Sequence, residues 1–294
     1  MKDSMLNKVI FMTGATSGLG KISALKAVNS GAKLIAIARN EEKGLQLIKD
    51  YKNQFPDGLG RIEIIEGNLN SFDSLVKACN EIALKYPSID MIVNNAGIMN
   101  FESKKTKDNI EETLQVNLLS PLLICHLLYE NLKKSKSAKI IFTSSGLHQG
   151  KINFDNLEFN NDFSSFKVYR QSKLGVILVC RKLAKDLKQD NINIYSQHPG
   201  MVRTELGRDA GWFSKMIFYL MGKSSEKGSK TLSFLIETDN KNLTSGEYYA
   251  NSKITKTTEE SYKISNGEKL ISIAINYLSK YLKTDSIIFN QEEK

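Results

Sequence analysis

Short apolar runs alternate with longer amphipathic segments along this chain, and that alternation limits its fold more than any other feature. Strand-like runs stand at Val9–Thr13, Lys33–Ala38, Arg61–Gly67, Ile89–Asn94, Ala138–Ser144 and Asn191–His198. Helical patterns lie between them at Lys21–Ser30, Glu41–Tyr51, Ser71–Tyr86, Asp108–Lys134 and Tyr169–Leu187. Turn residues such as Ser30-Gly31 and Asn70-Ser71 punctuate the edges. Run-like strands joined by helices imply a parallel sheet buried on both faces. The expected fold class is therefore α/β, a doubly wound parallel sheet with helices on both faces. Loops are expected at 146–166 and 200–225, a helix near Ser225–Glu237, a short strand near Glu247–Tyr249 and a C-terminal helix around Gly267–Leu282. The tail Thr284–Lys294 reads as weakly ordered. No linker or repeat divides the 294 residues, so one domain over 1–294 is expected, with its core over 8–250 and a C-terminal helix and tail over 251–294.

Composition removes several function classes. The formal charge is +9, a basic balance that can signal a polyanionic partner. The charge is spread evenly, however. Residues 1–150 hold 19 basic and 15 acidic residues, and residues 151–294 hold 22 and 17. The densest basic run, Lys133, Lys134, Lys136 and Lys139, has no interleaved aromatics, so no specific nucleic-acid binding is expected. Three cysteines and three histidines are scattered without metal-ligand spacing, so no metal is expected. Unpaired cysteines suit a reducing compartment. No signal peptide or membrane-spanning run is read, and a soluble, cytoplasmic protein is expected.

The first strand runs into Thr13-Gly14-Ala15-Thr16-Ser17-Gly18-Leu19-Gly20, after which a helix starts. Three glycines there allow positive φ, close backbone approach to a ligand and tight packing of helix on strand. The helix N-terminus then offers free N–H groups to a pyrophosphate. A glycine triplet is weak evidence alone, but its place in the first βα turn is the context a dinucleotide site requires. The end of the second strand reads Ile37-Ala38-Arg39-Asn40. Ala38 stands where an acid would meet the ribose of NAD, and Arg39 can hold a 2′-phosphate with two charge-assisted hydrogen bonds. NADP(H) is thus preferred over NAD(H).

Tyr169 and Lys173 lie one helical turn apart, on one face. An ammonium beside a phenol favours the phenolate, and such a tyrosine can exchange protons near neutral pH. The spacing has little value by itself, because Tyr129…Lys133, Tyr219…Lys223 and Tyr249…Lys253 share it in a Lys-rich chain. Position selects Tyr169: its helix follows the fifth strand, and the C-terminal ends of parallel strands are where ligands bind.

Together these residues resemble the short-chain dehydrogenase/reductase family in its single-domain Rossmann form, over roughly residues 8–250. The matched motifs, in the family's order, are Gly14/Gly18/Gly20, Asn94-Asn95-Ala96-Gly97, Asn117, Ser145, Tyr169/Lys173 and Pro199-Gly200…Thr204. The resemblance implies Tyr169 as proton donor and acceptor, and Ser145 as the group orienting the substrate carbonyl. It implies Lys173 on the nicotinamide ribose and Asn117 in a water-linked proton relay to it. Asn95, Ala96 and Gly97 would line the adenine-ribose side, and Pro199, Gly200, Val202 and Thr204 the nicotinamide side. Pro121, lacking an N–H, cannot bond the Asn117 carbonyl. That frees an acceptor for a relay water; a helix broken for packing alone fits equally.

The Ser145–Tyr169 separation of 24 residues is longer than in many members. The extra stretch with His148, Phe154 and Leu157, together with His198-Pro-Gly-Met-Val-Arg-Thr-Glu-Leu206, resembles the retinol-dehydrogenase-like and WW-domain-oxidoreductase-like subgroup. No counterpart of the membrane-anchoring N-terminal segment of many retinol dehydrogenases is expected. Asn68-Leu69 stands where the family usually places Asp-Leu against the adenine; an amide oxygen can still accept that bond, without the charge. His148 and His198 read as loop-positioning residues rather than catalytic ones. The family places substrate beneath the loop after the sixth strand, which here carries Trp212, Phe213, Met216, Ile217, Phe218, Tyr219, Leu220 and Met221 between Gly211 and Gly222. A greasy lid, a buried helix and, with Lys215 and Lys223 flanking, peripheral membrane contact are all open readings.

The resulting expectation is an NADP(H)-dependent carbonyl reductase or alcohol dehydrogenase acting on a small lipophilic carbonyl or alcohol, retinoid-like, steroid-like or xenobiotic. The alternative is a non-catalytic NADP(H)-binding sensor or scaffold of the same fold. The family often forms homodimers through the helices that hold Asn117 and Tyr169. Cys125, Leu128, Val176 and Val179 could supply that contact or be core.

Overall fold

Six β-branched and aliphatic runs of four to seven residues, followed by two short strands of three and two residues, pair side by side in an eight-stranded sheet of order β3-β2-β1-β4-β5-β6-β7-β8. The structure, a computed structural model, describes residues 5–199 and 225–282. The strands are β1 (Val9–Thr13), β2 (Lys33–Ala38), β3 (Arg61–Glu66), β4 (Met91–Asn94), β5 (Ala138–Thr143), β6 (Ile192–His198), β7 (Tyr248–Ala250) and β8 (Lys253–Ile254). β1 to β7 pair in parallel, and β8 returns antiparallel along β7. The helices are α1 (Gly18–Asn29), α2 (Glu41–Gln54), α3 (Phe72–Lys85), a single turn α4 (Glu112–Leu114), α5 (Ser120–Leu127), α6 (Tyr129–Lys133), α7 (Ser165–Asp186), α8 (Ser225–Glu237) and α9 (Ile264–Leu278).

Successive strand residues point to opposite faces, and both faces are buried. Ile10, Met12, Leu34, Ala36 and Val93 pack under α1, α2 and α8 with Leu25, Leu47 and Leu232. Their neighbours Phe11, Ile35, Ile92, Ile140 and Ile194 pack on the other face against Leu75 of α3, Leu122 of α5 and Val176 of α7. This is the doubly wound sheet that the run-like strands imply.

Three elements depart from the sequence pattern. The expected helix Asp108–Lys134 is broken into α4, a π-helical segment Gln115–Leu119, α5 and α6. The amide of Ser120 reaches back five residues to Gln115 O, and Pro121 follows in the first turn of α5. Proline denies the chain the α-type bond to Asn117 O, and a wider turn absorbs the mismatch. α7 begins at Ser165, so Tyr169 lies in its second turn. Residues 146–164 form a loop, as expected, but two of its apolar side chains, Ile152 and Leu157, are buried in the core. β8 had no strand signal in its two exposed residues.

Cys125, Leu128, Val176 and Val179 are core. They share one apolar cluster with Leu270, Ile271, Ala274 and Leu278 of α9. A Cβ on Gly267 would lie 3.0 Å from Leu178 O, so α9 sits close against α7. Lys139 also leaves the basic surface. It is buried, and its Nζ donates to Leu235 O (2.6 Å) and Thr238 O (2.7 Å) at the end of α8, satisfying carbonyls that a helix terminus leaves open. Gly200, Val202, Thr204 and the apolar 211–222 segment lie outside the described residues, as does the tail 284–294. No helix among the described residues is long and apolar enough to cross a membrane.

Candidate active site

The parallel register brings the C-terminal ends of β1, β4, β5 and β6 side by side, and polar side chains link them. Thr13 Oγ1 accepts from the amides of Asn95 and Ala96, both at 3.1 Å. Asn95 Nδ2 donates to Gly14 O (3.1 Å). Thr143 Oγ1 donates to Asn95 Oδ1 (3.3 Å) and accepts from Gln197 Nε2 (2.9 Å). Gln197 Oε1 and Asn94 Oδ1 are buried without a hydrogen-bond partner. A row of hydrogen bonds thus crosses the sheet from the glycine turn to the end of β6.

The glycine turn is built for close approach. Gly14 has φ +67°, and Gly18 has φ +54° with nothing within 4 Å of where a side chain would begin. A Cβ on Gly20 would lie 2.0 Å from Gly14 O, so only glycine lets α1 pack against the turn. The first turn of α1 carries no acidic residue and its N-cap Ser17 makes no side-chain cap bond. The amides of that turn are therefore free of local competition for an anion.

Tyr169, Lys173, Ser145 and Asn117 converge in the same region, and all four are buried. Lys173 Nζ donates to Thr143 O (3.0 Å) and lies 5.6 Å from the centre of the Tyr169 ring. Its helix is tied to β5 by Ser144 Oγ, which donates to Lys173 O (2.8 Å). Ser145 Oγ accepts from the amide of Leu147 (3.0 Å), which leaves the serine hydrogen to donate. Asn117 is clamped to one residue: its Oδ1 accepts from Ile98 N (2.8 Å) and its Nδ2 donates to Ile98 O (2.9 Å), with a further bond to Ser172 Oγ (3.0 Å). Gly97 fits between Lys173 and Asn117, where a Cβ would lie 3.0 Å from Nζ and 3.2 Å from Asn117 Oδ1.

Burial sets the proton affinities. It pushes the Lys173 amine down to about 8. It also pushes the Tyr169 phenol above its ordinary value, with the Ser145 hydroxyl pulling weakly the other way. The expected lowering of the phenol by Lys173 is outweighed, because desolvation disfavours both charged forms and the amine is turned to the Thr143 carbonyl.

The short chain dehydrogenase family model matches residues 8–212. This chain belongs to the short chain dehydrogenase family. Within it, human retinol dehydrogenase 14 is 32% identical over 288 residues, covering 92% of this chain and 86% of its own. Mouse retinol dehydrogenase 11 is 31% identical, with coverages of 84% and 78%. These likenesses place the chain in the retinol-dehydrogenase-like subgroup. A crystal structure of an uncharacterised protein from Mycobacterium paratuberculosis shares the fold with a TM-score of 0.72, at 21% identity and 94% coverage of each chain. A short chain dehydrogenase from Escherichia coli CFT073, solved with NADPH, has a TM-score of 0.67, at 21% identity, covering 86% of this chain and all of that one.

In this short chain dehydrogenase fold, the other site residues singled out by sequence follow the C-terminal ends of strands. Gly14, Thr16, Ser17, Gly18, Leu19 and Gly20 form the β1–α1 turn, and Asn95, Ala96, Gly97 and Pro199 stand at neighbouring strand ends. Arg39 is exposed just past β2 and makes no ion pair with the described residues. Asn68 Oδ1 accepts from Asn70 N (3.2 Å), closing the turn after β3, and Leu69 follows it. The competing Tyr–Lys pairs do other things. Tyr129 donates to Asp190 (2.8 Å) while Lys133 pairs with Glu130, and Tyr249 and Lys253 stand on the antiparallel strands β7 and β8. Tyr219 and Lys223 lie outside the described residues. Thr13, Thr143, Gln197 and Tyr248 were missed. Three of them are polar residues at the C-terminal end of an apolar strand, a pattern that could have flagged them; Tyr248 carries no such signal.

Proposed function

We propose that this chain is an NADP(H)-dependent oxidoreductase acting on a lipophilic carbonyl or alcohol of retinoid or steroid type. The observation that carries the reading is the buried convergence of Tyr169, Lys173 and Ser145 at the end of β5, beside a glycine turn whose helix N-terminus carries no acid and no side-chain cap. The described residues fit a dinucleotide. Gly14 and Gly20 permit close approach, Gly18 faces open space, and no acid opposes a pyrophosphate at α1. Arg39 would take the 2′-phosphate, Asn68 and Leu69 the adenine, and Asn95, Ala96 and Gly97 the ribose beside it. Pro199, with Gly200, Val202 and Thr204 by sequence position, would line the nicotinamide side. When bound, the dinucleotide supplies or accepts the hydride.

In the reducing direction the Tyr169 hydroxyl donates its proton to the substrate oxygen as negative charge develops there. Ser145 donates a hydrogen bond to the same oxygen, its O–H being left for that by the Leu147 amide, which uses one of its two lone pairs. Lys173 would hold the ribose hydroxyls of the bound dinucleotide, and its positive charge stabilises the phenolate left behind. The Asn117 carbonyl, spared by Pro121, receives the relay water that returns a proton towards Lys173. Oxidation runs these steps backward.

The test is NADPH consumption over a panel of apolar aldehydes and ketones. Tight NADPH binding with no turnover of any carbonyl or alcohol would instead mark a cofactor-binding sensor. The pH profile has a definite sign. Tyr169 and Lys173 are both wanted protonated for reduction, and Lys173 is the first to lose its proton, near 8. kcat/KM for reduction should be level below that pH and fall about tenfold per unit above it. A level profile up to pH 10 would remove the Lys173 charge from the mechanism. Arg39→Asp should lower the preference for NADP⁺ over NAD⁺ by about 10- to 100-fold, the range of one charge-assisted contact. Unchanged dissociation constants for the two would contradict the assignment of Arg39.

A further inference from the structure

One peptide unit next to the proposed catalytic serine is held entirely by side chains. The carbonyl of Ser145 accepts two hydrogen bonds, from His148 Nδ1 (2.7 Å) and from Tyr248 Oη (3.0 Å). The amide of the same unit, Gly146 N, donates to His198 Nδ1 (3.0 Å). Both lone pairs of the oxygen and the only N–H are therefore used. The three side chains come from the loop after β5, from β7 and from the end of β6.

His148 is itself braced. The amide of Thr258 donates to its Nε2 (3.4 Å), and its ring packs 5.2 Å from that of Tyr248. An amide on Nε2 and a carbonyl on Nδ1 are both satisfied by neutral imidazole with its hydrogen on Nδ1. Thr258 leads into the turn Glu259–Tyr262, and Arg181 pins that turn: it donates to Ser261 O (2.8 Å) and Thr257 Oγ1 (3.1 Å), with its guanidinium 3.9 Å from the centre of the Tyr262 ring. Arg181 stands on α7, the helix that carries Tyr169 and Lys173. The phenol and the serine are thus referred to one rigid element by two routes.

We propose that His148 and Tyr248 are positioning residues that lock the Ser145–Gly146 peptide, and so aim the Ser145 hydroxyl at the substrate oxygen. The inference rests on the carbonyl-oxidoreductase reading above. It makes the C-terminal segment 248–262 part of the support of the active site.

The experiment compares His148→Ala, His148→Asn, His148→Gln and Tyr248→Phe with the parent protein. Readouts are kcat, KM, NADPH dissociation constant and exchange of the Gly146 amide. His148→Ala should lower kcat by about 10- to 100-fold, the scale of a misplaced catalytic group, with NADPH affinity within about twofold by the same reasoning, since no contact to the dinucleotide is altered. Gly146 exchange should quicken. His148→Asn puts an N–H near the place of Nδ1 and should restore most of kcat; His148→Gln, which mimics Nε2, should not. Tyr248→Phe should lower kcat and quicken the same exchange. Unchanged kcat or unchanged Gly146 exchange in His148→Ala would overturn the inference, as would a loss of kcat that His148→Asn does not repair. A parent that turns over no carbonyl or alcohol would instead overturn the reading of function on which it stands.

Discussion

Tyr169→Phe is expected to cut carbonyl turnover by about 10²–10⁴-fold, the range spanned by positioned general acids, while NADPH affinity changes little. The substitution deletes one oxygen and leaves the ring, which is 7% exposed in a helix face packed against the sheet. Packing is conserved, so the unfolding temperature should move little. Ser145 loses the phenol as a neighbour but keeps the amide of Leu147 on its oxygen. The loss should therefore fall on kcat. Single-turnover reduction with NADPH in excess, alongside a binding titration, separates the two quantities. Reduction at the parent's rate would remove Tyr169 from the chemistry, because no other phenol stands one turn from a lysine at the end of a central strand among the described residues.

Gly20→Ala should act at the other end of the cofactor, and through sterics alone. The added methyl would begin 2.0 Å from Gly14 O and 2.4 Å from Asn95 Nδ2. The carbonyl is backbone, at a turn already held by Asn95, and cannot swing away cheaply. We expect a stability loss of about 1–3 kcal/mol from overpacking and a weakening of NADPH binding by about 100-fold or more, as the turn and the start of α1 move apart. Gly18→Ala is the control. Unlike Gly20, Gly18 has a left-handed backbone, φ +54°, and empty space where its side chain would go, so in the cofactor-free protein it should show only the backbone cost of about 1–2 kcal/mol. Thermal unfolding and a cofactor titration of both variants decide the matter. Equal cofactor affinities for the two would show that packing of α1 on the turn does not shape the phosphate site.

Much of this was visible before any fold was known, and for local reasons. β1 and β2 end where their apolar runs end, because a strand buried on both faces reads as a nearly continuous apolar run. The Tyr169–Lys173 pairing is a property of one helix, so its spacing alone places both groups on one face. The 108–134 stretch misled for an equally local reason. Its apolar period continues through Pro121, but a missing N–H interrupts hydrogen bonding without altering hydrophobicity, and the helix widens to a π turn at Gln115–Leu119. Lys139 misled differently. It belongs to a basic run in the sequence, yet only the packing of α8 against β5 shows that its amine caps carbonyls 96 and 99 residues away.

The amino-acid sequence by itself determined the alternation of strands and helices, the glycine turn, the Tyr169/Lys173 face and the family. The first three are written in periods and spacings of fewer than about ten residues, where covalent geometry dictates neighbours, and the family in the order of such short motifs along the chain. Tertiary structure alone decided what surrounds them. Thr143 O meets the Lys173 amine, Asn95 bridges Gly14 and Thr143, and His148, His198 and Tyr248 meet on one peptide. Those partners are separated by 30 to 103 residues, apart from His148 itself. They are joined because parallel pairing sets strand ends side by side, and no local period encodes which strand lies next to which.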